Sequence, residues 1–324
     1  MTPWVVGLCA FIVSLALTPV AIVVARRTGI MDRPGELKEQ TRAVPYLGGV
    51  AVFAGVAVGI FGTRLTILVP LFLALVLGVA DDRLSLAPAL RLLGEVAIGL
   101  TVVVTCPVHA PGWLAVALLV PLTLLLINGV NLMDGLDMLA GGTVALAAVG
   151  FAVILASPST HSGQLTAVAL AAALLGFLVF NRPPARIYLG DGGSYLLGVA
   201  LTVLVADSWG TDAPTPVGVV SLILVALPAA EVAFAVVRRL RGRQSVLAGD
   251  RGHPYDRLVA RGWSRASASA TYIAAQGILT IGAVLAYRQS ALALAIAVDI
   301  VAAVALIIAA GLAGGLSPDQ EVAP

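Results

Sequence analysis

The sequence predicts an all-α fold with about eleven transmembrane helices, ten also being possible, in a polytopic membrane protein. Of the 324 residues, 60% are hydrophobic and only 11% are charged, whereas soluble domains carry roughly 25% charged residues. Apolar runs that are long enough, or nearly long enough, to cross a bilayer recur along the whole chain. Together these observations exclude an ordinary soluble domain.

The predicted spans begin at the N-terminus. Met1 to Val24 carries no charge and no basic segment, so we expect it to stay as the first transmembrane helix rather than to be cleaved as a signal peptide. Several of the later runs are shorter than the roughly 20 residues of a full span, so their boundaries are soft. The eleven runs lie at about 3–25, 47–62, 66–80, 92–107, 113–128, 138–157, 163–180, 194–209, 215–237, 267–287 and 290–314.

The distribution of basic residues predicts the orientation of these spans. With eleven spans, the two ends of the chain lie on opposite sides of the membrane. Of the 19 Lys and Arg residues, all but Arg64 and Arg288 then fall in one set of loops. Because basic loops stay in the cytoplasm, the N-terminus is predicted outside and the C-terminus inside. Most of the loop carboxylates fall on the same cytoplasmic side, where we expect any chemistry.

No soluble domain interrupts the apolar runs. We expect a single transmembrane domain over residues 1–316 and a disordered C-terminal tail over 317–324. Cys9 and Cys106 lie in or beside apolar runs, so neither a disulfide nor a cysteine-bound metal is predicted. The expected partners are membrane lipids and a second copy of the chain in a homodimer, without nucleic acid.

Polar residues interrupt the apolar pattern at Ile127–Asp137, between two uncharged runs. This stretch holds two Asn, two Asp and two Gly, and buried polar groups are costly unless they find partners. A turn would explain two or three such residues but not six. Asn128, Asn131 and Asp134 recur at three-residue intervals, which predicts one helical face that Asp137 extends. Amides and carboxylates on one face suit hydrogen bonding to a base, ribose or sugar.

An acidic pair, Asp81-Asp82, directly follows the apolar run Val69–Ala80. Adjacent carboxylates repel each other unless a cation neutralises them, and Mg²⁺ is the usual oxygen-seeking cation in phosphate chemistry. The alternative, which the pair alone does not exclude, is a solvated helix end with Arg83 as partner.

Three further loops carry groups that suit phosphates. The first loop contains Lys38 and ends at Gly48-Gly49, which would allow close approach of a helix or ligand. A later loop contains Tyr188 and the stretch 190–194 (Gly-Asp-Gly-Gly-Ser) before an apolar run, which resembles an anion cradle at a helix N-terminus. A plain N-cap by Asp191 or Ser194 is the simpler alternative for that stretch.

The last cytoplasmic loop is basic. It includes Arg251 and then His253-Pro254-Tyr255-Asp256. Contact with anionic lipid would explain its arginines, but it would not explain His253 and Asp256. Since several loops with carboxylates and phosphate-binding groups are predicted on one membrane face, they indicate phosphoryl transfer at the membrane surface, where catalysis depends on positioning and charge neutralisation.

With these motifs in this order, the chain resembles the polyprenyl-phosphate N-acetylhexosamine-1-phosphate transferase superfamily (glycosyltransferase family 4), which includes the phospho-N-acetylmuramoyl-pentapeptide translocase. The resemblance covers about Asp32 to Ser264 and is closest at Asn128–Gly135. The chain departs from the family pattern at His253–Asp256, which replaces a loop that usually carries two or three His, and at Glu231, where many members have Asp.

The resemblance implies a Mg²⁺-dependent phosphoglycosyltransferase of the bacterial inner membrane, with Mn²⁺ as a possible substitute. It would transfer a sugar-1-phosphate, GlcNAc-1-phosphate as the first choice, from a UDP-sugar to a polyprenyl phosphate, with release of UMP. This would be the first membrane step of a cell-envelope polysaccharide pathway. The implied catalytic residues are Asp81, Asp82 and Asp191, and the implied metal ligands are Asp82 and Asp191. The residues expected to contact substrates are Lys38, Asn128, Asn131, Asp134, Asp137, Tyr188, Arg251 and His253.

Three alternatives stay open at this point. The same chemistry could act on another UDP-N-acetylhexosamine or on UDP-MurNAc-pentapeptide. The chain could be a catalytically inactive homologue that binds lipid or nucleotide. A lipid or sugar transporter would need ionisable groups near the middle of the bilayer, and only Glu95, Glu231 and Asp299 are candidates. Glu95 follows Arg91 by four residues, so the two are expected to pair on one helix.

Overall fold

The computed structural model describes residues 1–32, 43–210, 215–245, 252–289, 292–312 and 314. Within them the protein is a bundle of α-helices, as predicted, and its only strands form one short ladder. The tail 317–324 lies outside the described residues. The elements in chain order are α1 (Pro3–Thr28), β1 (Met31–Asp32), β2 (Val44–Pro45), α2 (Gly48–Gly59), α3 (Leu68–Leu84), α4 (Pro88–Thr105), α5 (Gly112–Met133), α6 (Leu139–Ile154), α7 (His161–Asn181), α8 (Gly190–Ser208), α9 (Thr215–Leu224), α10 (Ala226–Arg241), α11 (Pro254–Ala260), α12 (Arg265–Arg288) and α13 (Leu292–Leu312).

Seven helices of the described chain are long and apolar enough to cross a bilayer. The number rises to eight if α9 and α10, which meet at an angle of 58°, form one bent span. The protein is therefore a multi-pass membrane protein. The sequence-based number of eleven is higher because it also includes α2, α6 and α8.

Helix α8 lies at the centre of the bundle. Every residue from Gly192 to Ala206 is buried, and the helix packs against α2, α3 and α5. Two glycines allow this close packing. A Cβ atom at Gly49 would lie 2.4 Å from the Cα of Gly193, and one at Gly78 would lie 2.3 Å from the carbonyl oxygen of Asp191. The start of α8 is thus held between the backbones of α2 and α3.

Backbone hydrogen bonds tie the first loop to the start of α8. The antiparallel ladder pairs β1 with β2, and the Pro45 carbonyl accepts from the N–H of Tyr188 at 2.8 Å. The N–H groups of Gly48 and Gly49 then donate to the carbonyls of Tyr188 and Leu189, at 3.0 and 3.1 Å. The close approach expected at Gly48-Gly49 is confirmed, and it joins two segments with predicted site residues.

Candidate active site

The candidate site lies where α3 and α5 end and α8 begins. Asn131, in the last turn of α5, donates from Nδ2 to Oδ1 of Asp191 at 2.7 Å and to Oγ of Ser194 at 3.1 Å. Asp82, in the last turn of α3, accepts the N–H of Gly192 at 3.4 Å. Three motifs that are far apart in sequence, the acidic pair, the Asn-Asp stretch and the 190–194 loop, therefore meet at one end of the bundle.

Asp81 points away from Asp82 and into the bundle. Its side chain is 7% exposed, and Oδ2 accepts the Tyr195 hydroxyl at 2.6 Å. Oδ1 accepts the N–H of Leu86 at 2.9 Å, and the Arg91 guanidinium lies 3.5 Å from Oδ2. The alternative of a solvated helix end with Arg83 as partner is therefore wrong for Asp81, because the carboxylate is buried and its nearby cation is Arg91.

Arg91 also connects Asp81 to α5. Its Nε lies 3.8 Å from Oε1 of Glu95, so the predicted pairing of these two residues is confirmed. Glu95 is fully buried, and its Oε2 accepts from Nδ2 of Asn128 at 2.8 Å. Asn128 thus faces α4, whereas Asn131, one turn later, faces the start of α8.

The expected single helical face over residues 128–137 is wrong at its C-terminal part. Helix α5 ends at Met133, and Asp134 is its C-cap residue, since Asp and Gly are poor helix formers. Asp137 lies in the turn beyond, where its Oδ2 accepts the N–H of Ala185 at 2.9 Å. Asp137 therefore anchors the loop before α8 rather than extending a face of α5.

The electrostatic environment of Asp134 shows that negative charge accumulates here. Burial raises the pKa of Asp134 well above its usual value, and the carboxylates of Asp191, Asp82 and Asp137 raise it further. Like charges that face one another favour the binding of a cation.

Within the described residues, no group of three or more His, Cys, Asp or Glu side chains is close enough to hold a metal by itself. Mg²⁺ is usually bound by one or two carboxylates, with waters and substrate phosphates as its other ligands. Asp82 and Asp191 supply such a pair, because Asp82 contacts the backbone of Gly192, directly after Asp191. These two residues therefore fit Mg²⁺ as a shared protein–substrate site.

Tyr188 is half-buried beside this acidic region. Burial, and then the carboxylates of Asp137 and Asp32, raise the pKa of its hydroxyl to about 12. Two predicted contact residues, Lys38 and Arg251, lie outside the described residues.

His253 is buried and faces Glu231 of α10, which its sequence position did not indicate. Its Nδ1 lies 3.2 Å from Oε2 of Glu231, and its ring stacks on Tyr255 at a centroid distance of 5.3 Å. The Tyr255 hydroxyl donates to the carbonyl of Leu132 at 2.7 Å, which docks the last basic loop onto the end of α5. The sequence signals for Glu231 were a lone carboxylate in an apolar run and its place at a position where many members of the resembled family have Asp.

The arginines of this region also differ from the expectation of lipid contact. Arg238 and Arg239 are 1% and 9% exposed, so their guanidinium groups belong to the protein interior. Glu95 and Glu231, two of the three transporter candidates, belong to two separate polar networks, one with Asn128 and one with His253, rather than to one shared site.

Comparison with known proteins identifies the family of this chain. Residues 64–208, from just before α3 to the end of α8, match the family model of glycosyl transferase family 4. The chain is 32% identical to a probable undecaprenyl-phosphate N-acetylglucosaminyl 1-phosphate transferase of Bacillus subtilis (strain 168), over 79% of this chain and 78% of the relative.

Two further relatives differ from the first in the lipid or in the sugar for which they are named. The chain is 29% identical to the decaprenyl-phosphate N-acetylglucosaminephosphotransferase of Mycolicibacterium smegmatis (strain ATCC 700084 / mc(2)155), over 86% of this chain and 80% of the relative. It is 28% identical to a phospho-N-acetylmuramoyl-pentapeptide-transferase of Halalkalibacterium halodurans, over 60% and 71%. From the matched family model and the identity to the Bacillus protein over most of both chains, this chain belongs to glycosyl transferase family 4 and is a membrane-bound homologue of the polyprenyl-phosphate N-acetylglucosamine-1-phosphate transferases.

Proposed function

We propose that this protein transfers GlcNAc-1-phosphate from UDP-GlcNAc to a polyprenyl phosphate, giving polyprenyl-diphospho-GlcNAc and UMP. The observation that carries the proposal is the meeting of Asp82, Asn131 and Asp191 at one end of the bundle. Such a group of carboxylates and amides suits a nucleoside diphosphate with its cation.

The choice of substrates is supported by the relatives. The Bacillus and Mycolicibacterium proteins are named for N-acetylglucosamine, one with undecaprenyl and one with decaprenyl phosphate. The Halalkalibacterium protein is named for a muramoyl-pentapeptide, so UDP-MurNAc-pentapeptide is the competing donor. Another UDP-N-acetylhexosamine is the third candidate donor.

In the proposed reaction, an oxygen of the acceptor phosphate attacks the β-phosphorus of the UDP-sugar. The bond from that phosphorus to the bridging oxygen breaks, and UMP leaves with the bridging oxygen. We favour direct attack without a covalent phospho-enzyme. Asp81 orients or deprotonates the acceptor phosphate, because Tyr195, Leu86 and Arg91 fix its carboxylate before substrate binds.

The remaining roles follow from where each side chain would meet the donor. Asp82 and Asp191 would hold Mg²⁺, which when bound offsets the charge that develops on the diphosphate. Asn131, Asp134 and Tyr188 face the nucleoside, with the Tyr188 ring stacking on uracil. The proposed phosphate contacts are Lys38, Arg251 and His253. Asn128 and Asp137 hold these nucleoside-facing residues in place, through the hydrogen bonds that join Asn128 to Glu95 and Asp137 to Ala185.

We also propose eleven spans, with the N-terminus outside. Besides the seven long apolar helices, the short apolar helices α2 and α6, the bent pair α9–α10 and the central helix α8 complete the number within the described chain. The site then lies on the cytoplasmic side with most of the basic residues.

The decisive experiment measures UMP release by purified protein in detergent with Mg²⁺. The donors are UDP-GlcNAc, UDP-GalNAc and UDP-MurNAc-pentapeptide, each with undecaprenyl or decaprenyl phosphate. We expect UDP-GlcNAc to react fastest. Asp81→Asn and Asp191→Asn should each abolish the reaction, whereas Asp299→Asn, the same change on α13, should retain the wild-type rate.

Two results would overturn the proposal. Near wild-type turnover by Asp191→Asn would remove the central role of the carboxylate at the start of α8. Absence of UMP with every donor and acceptor, from protein that still binds a UDP-sugar, would identify an inactive binding homologue.

A further inference from the structure

The bend between α9 and α10 has a cause in the sequence. Helix α9 ends at Leu224, α10 begins at Ala226, and the two helices meet at 58°. In a continuous helix the carbonyl of Leu224 would accept the N–H of the residue four positions later, which is Pro228. Proline has no N–H, and its ring collides with that carbonyl. The helix therefore bends here, and the Leu224 carbonyl loses its helical donor.

Gln276 of α12 supplies the missing donor. Its side chain is fully buried, and its Nε2 donates to the Leu224 carbonyl at 3.2 Å. Because a carbonyl oxygen can only accept, the atom of Gln276 that faces it must be the amide nitrogen. An unpaired carbonyl is costly inside a bilayer, where there is no water to bond it. One side chain of a neighbouring helix thus replaces the bond that Pro228 removes.

The same face of α12 also holds the other side of the bend. Tyr272 lies four residues before Gln276, so the two side chains share a face of the helix. The Tyr272 hydroxyl donates to Oε1 of Glu231 in α10, and both of these side chains are buried. Helix α12 is therefore bonded to the end of α9 through Gln276 and to α10 through Tyr272, and these two bonds fix the bend.

The bend places α10 directly against the helix that carries the asparagines of the candidate site. A Cβ atom at Gly129 of α5 would lie 2.2 Å from the carbonyl oxygen of Pro228, so the backbones of α5 and α10 are in contact there. Gly129 lies between Asn128 and Asn131, and Asn131 donates to Asp191. A change in the bend would move the Pro228 carbonyl against this turn of α5 and displace the two asparagines.

We infer that Gln276 is a positioning residue for the reaction. By holding the carbonyl that Pro228 leaves without a helical donor, its amide fixes α10 against Gly129 and so keeps Asn128 and Asn131 in place. The kinetic part of this inference rests on the proposed function, which makes the two asparagines part of a reaction. Gln276 itself lies on α12 and acts through α10 and α5, without contact with substrate.

The kinetic test compares Gln276→Met with Gln164→Met. Methionine keeps the length of glutamine but removes its amide. We expect Gln276→Met to lower kcat/KM for UDP-GlcNAc by about 10- to 100-fold, since a misplacement of about 1 Å in a site can cost this much. Gln164 is the matched control, because it also donates to a helix carbonyl, that of Ala152, at 3.4 Å. It lies in the first turn of α7, next to Gly163, which approaches Asp207 at the other end of the bundle, so Gln164→Met should keep the wild-type value.

A double-mutant cycle with Pro228→Ala tests the cause of the effect. Alanine restores the N–H at position 228, so the Leu224 carbonyl can again be paired within its own helix. We expect Pro228→Ala alone to lower kcat/KM because the bend relaxes. In that background Gln276→Met should cost less than about threefold, since coupled groups are not additive.

Three kinetic results would overturn the inference. They are wild-type kinetics in Gln276→Met, fully additive losses in the cycle, and a lower unfolding temperature of Gln276→Met with an unchanged kcat/KM. The last result would show that the amide supports stability alone.

A distance measurement does not depend on the proposed function. Leu90, at the start of α4, and Leu240, at the end of α10, are 59% and 61% exposed. In a chain with Cys9 and Cys106 replaced by serine, spin labels on Leu90→Cys and Leu240→Cys would report the position of α10 by pulsed electron paramagnetic resonance. We expect Gln276→Met to shift or broaden the distance distribution and Gln164→Met to leave it unchanged.

Tyr272→Phe is a smaller change on the other side of the bend, with Tyr287→Phe as its control on the same helix. We expect Tyr272→Phe to alter the distance distribution in the same sense and Tyr287→Phe to leave it unchanged. An unchanged distribution in Gln276→Met, or in Tyr272→Phe, would overturn the inference. An altered distribution in a protein that releases no UMP would contradict only the proposed function.

Discussion

Two adjacent carboxylates at the end of α3 have different surroundings. Successive side chains on a helix point in directions about 100° apart, so Asp81 turns inward to Tyr195 and Arg91 while Asp82 turns to the start of α8. Asp81 is therefore restrained by three donors. Asp82 is left to share a site with Asp191. The single motif Asp81-Asp82 thus supplies one group proposed to act on the acceptor phosphate and one proposed metal ligand.

Removal of the Tyr195 hydroxyl tests whether Asp81 needs its fixed orientation. Tyr195→Phe removes the 2.6 Å hydrogen bond to Asp81, and a hydrogen bond to a charged group contributes about 1.5–3 kcal/mol. We expect kcat for UMP release to fall by about tenfold or more, because the carboxylate loses its fixed orientation. The KM for the UDP-sugar should change little, since Asp81 is proposed to act on the acceptor.

Steady-state kinetics with the donor varied at saturating acceptor would measure both parameters. Tyr287→Phe, which removes a hydroxyl from the far end of α12, is the matched control and should behave like the wild type. A Tyr195→Phe variant with unchanged kcat would show that Asp81 does not need this bond.

At the scale of elements, the site depends on how closely α3 approaches α8. The backbone of Gly78 lies against the carbonyl of Asp191, and a Cβ there would lie only 2.3 Å from that oxygen. Any side chain at position 78 must push the two helices apart. Because Asp191 is in the first turn of α8, such a movement would displace it from Asn131 and Asp82.

Gly78→Ala should therefore reduce both stability and activity. Overpacking of this kind costs about 1–3 kcal/mol, and we expect a lower unfolding temperature in detergent together with a loss of most UMP release. Gly277→Ala is the control, since its nearest neighbouring atom would lie at 3.7 Å, an ordinary contact distance. If Gly78→Ala kept the wild-type unfolding temperature and rate, the close approach of α3 and α8 would not be required.

At the scale of the whole molecule, two groups of polar contacts lie at opposite ends of the bundle. One end holds the candidate site. At the other, Arg64 of the segment before α3 pairs with Asp207 at the end of α8 and donates to the carbonyl of Thr105 at 2.8 Å. Exposed tryptophans, Trp4 and Trp113, lie at helix ends on this second side, as expected for residues at a membrane–water interface.

Cysteine labelling in intact cells tests the proposed orientation. In a chain with Cys9 and Cys106 replaced by serine, His109→Cys should react with a membrane-impermeant maleimide from outside. His109 is exposed beside Trp209, whose carbonyl accepts its N–H at 3.0 Å. Ser267→Cys, exposed in the first turn of α12, should react only after the cells are permeabilised. The reverse pattern would place the site outside the cell.

Much of the molecule follows from the sequence by itself. Apolar runs determine a helical membrane protein because unpaired backbone groups are too costly in lipid. The order of the polar motifs predicted the family, and the resemblance implied the residues that form the candidate site, including Asp81, Asp82, Asn131 and Asp191. The pairing of Arg91 with Glu95 could also be predicted, since residues four apart on a helix are neighbours.

Tertiary structure decided what the side chains face. The different partners of Asn128 and Asn131, the end of α5 at Met133, the bond from Tyr195 to Asp81 and the pairing of His253 with Glu231 all depend on contacts between segments that are distant in sequence. Sequence patterns report periodicity within one segment, and they do not show which of the distant segments will contact each other. Packing fixes them, because each buried polar group must find its partner on whichever helix lies beside it.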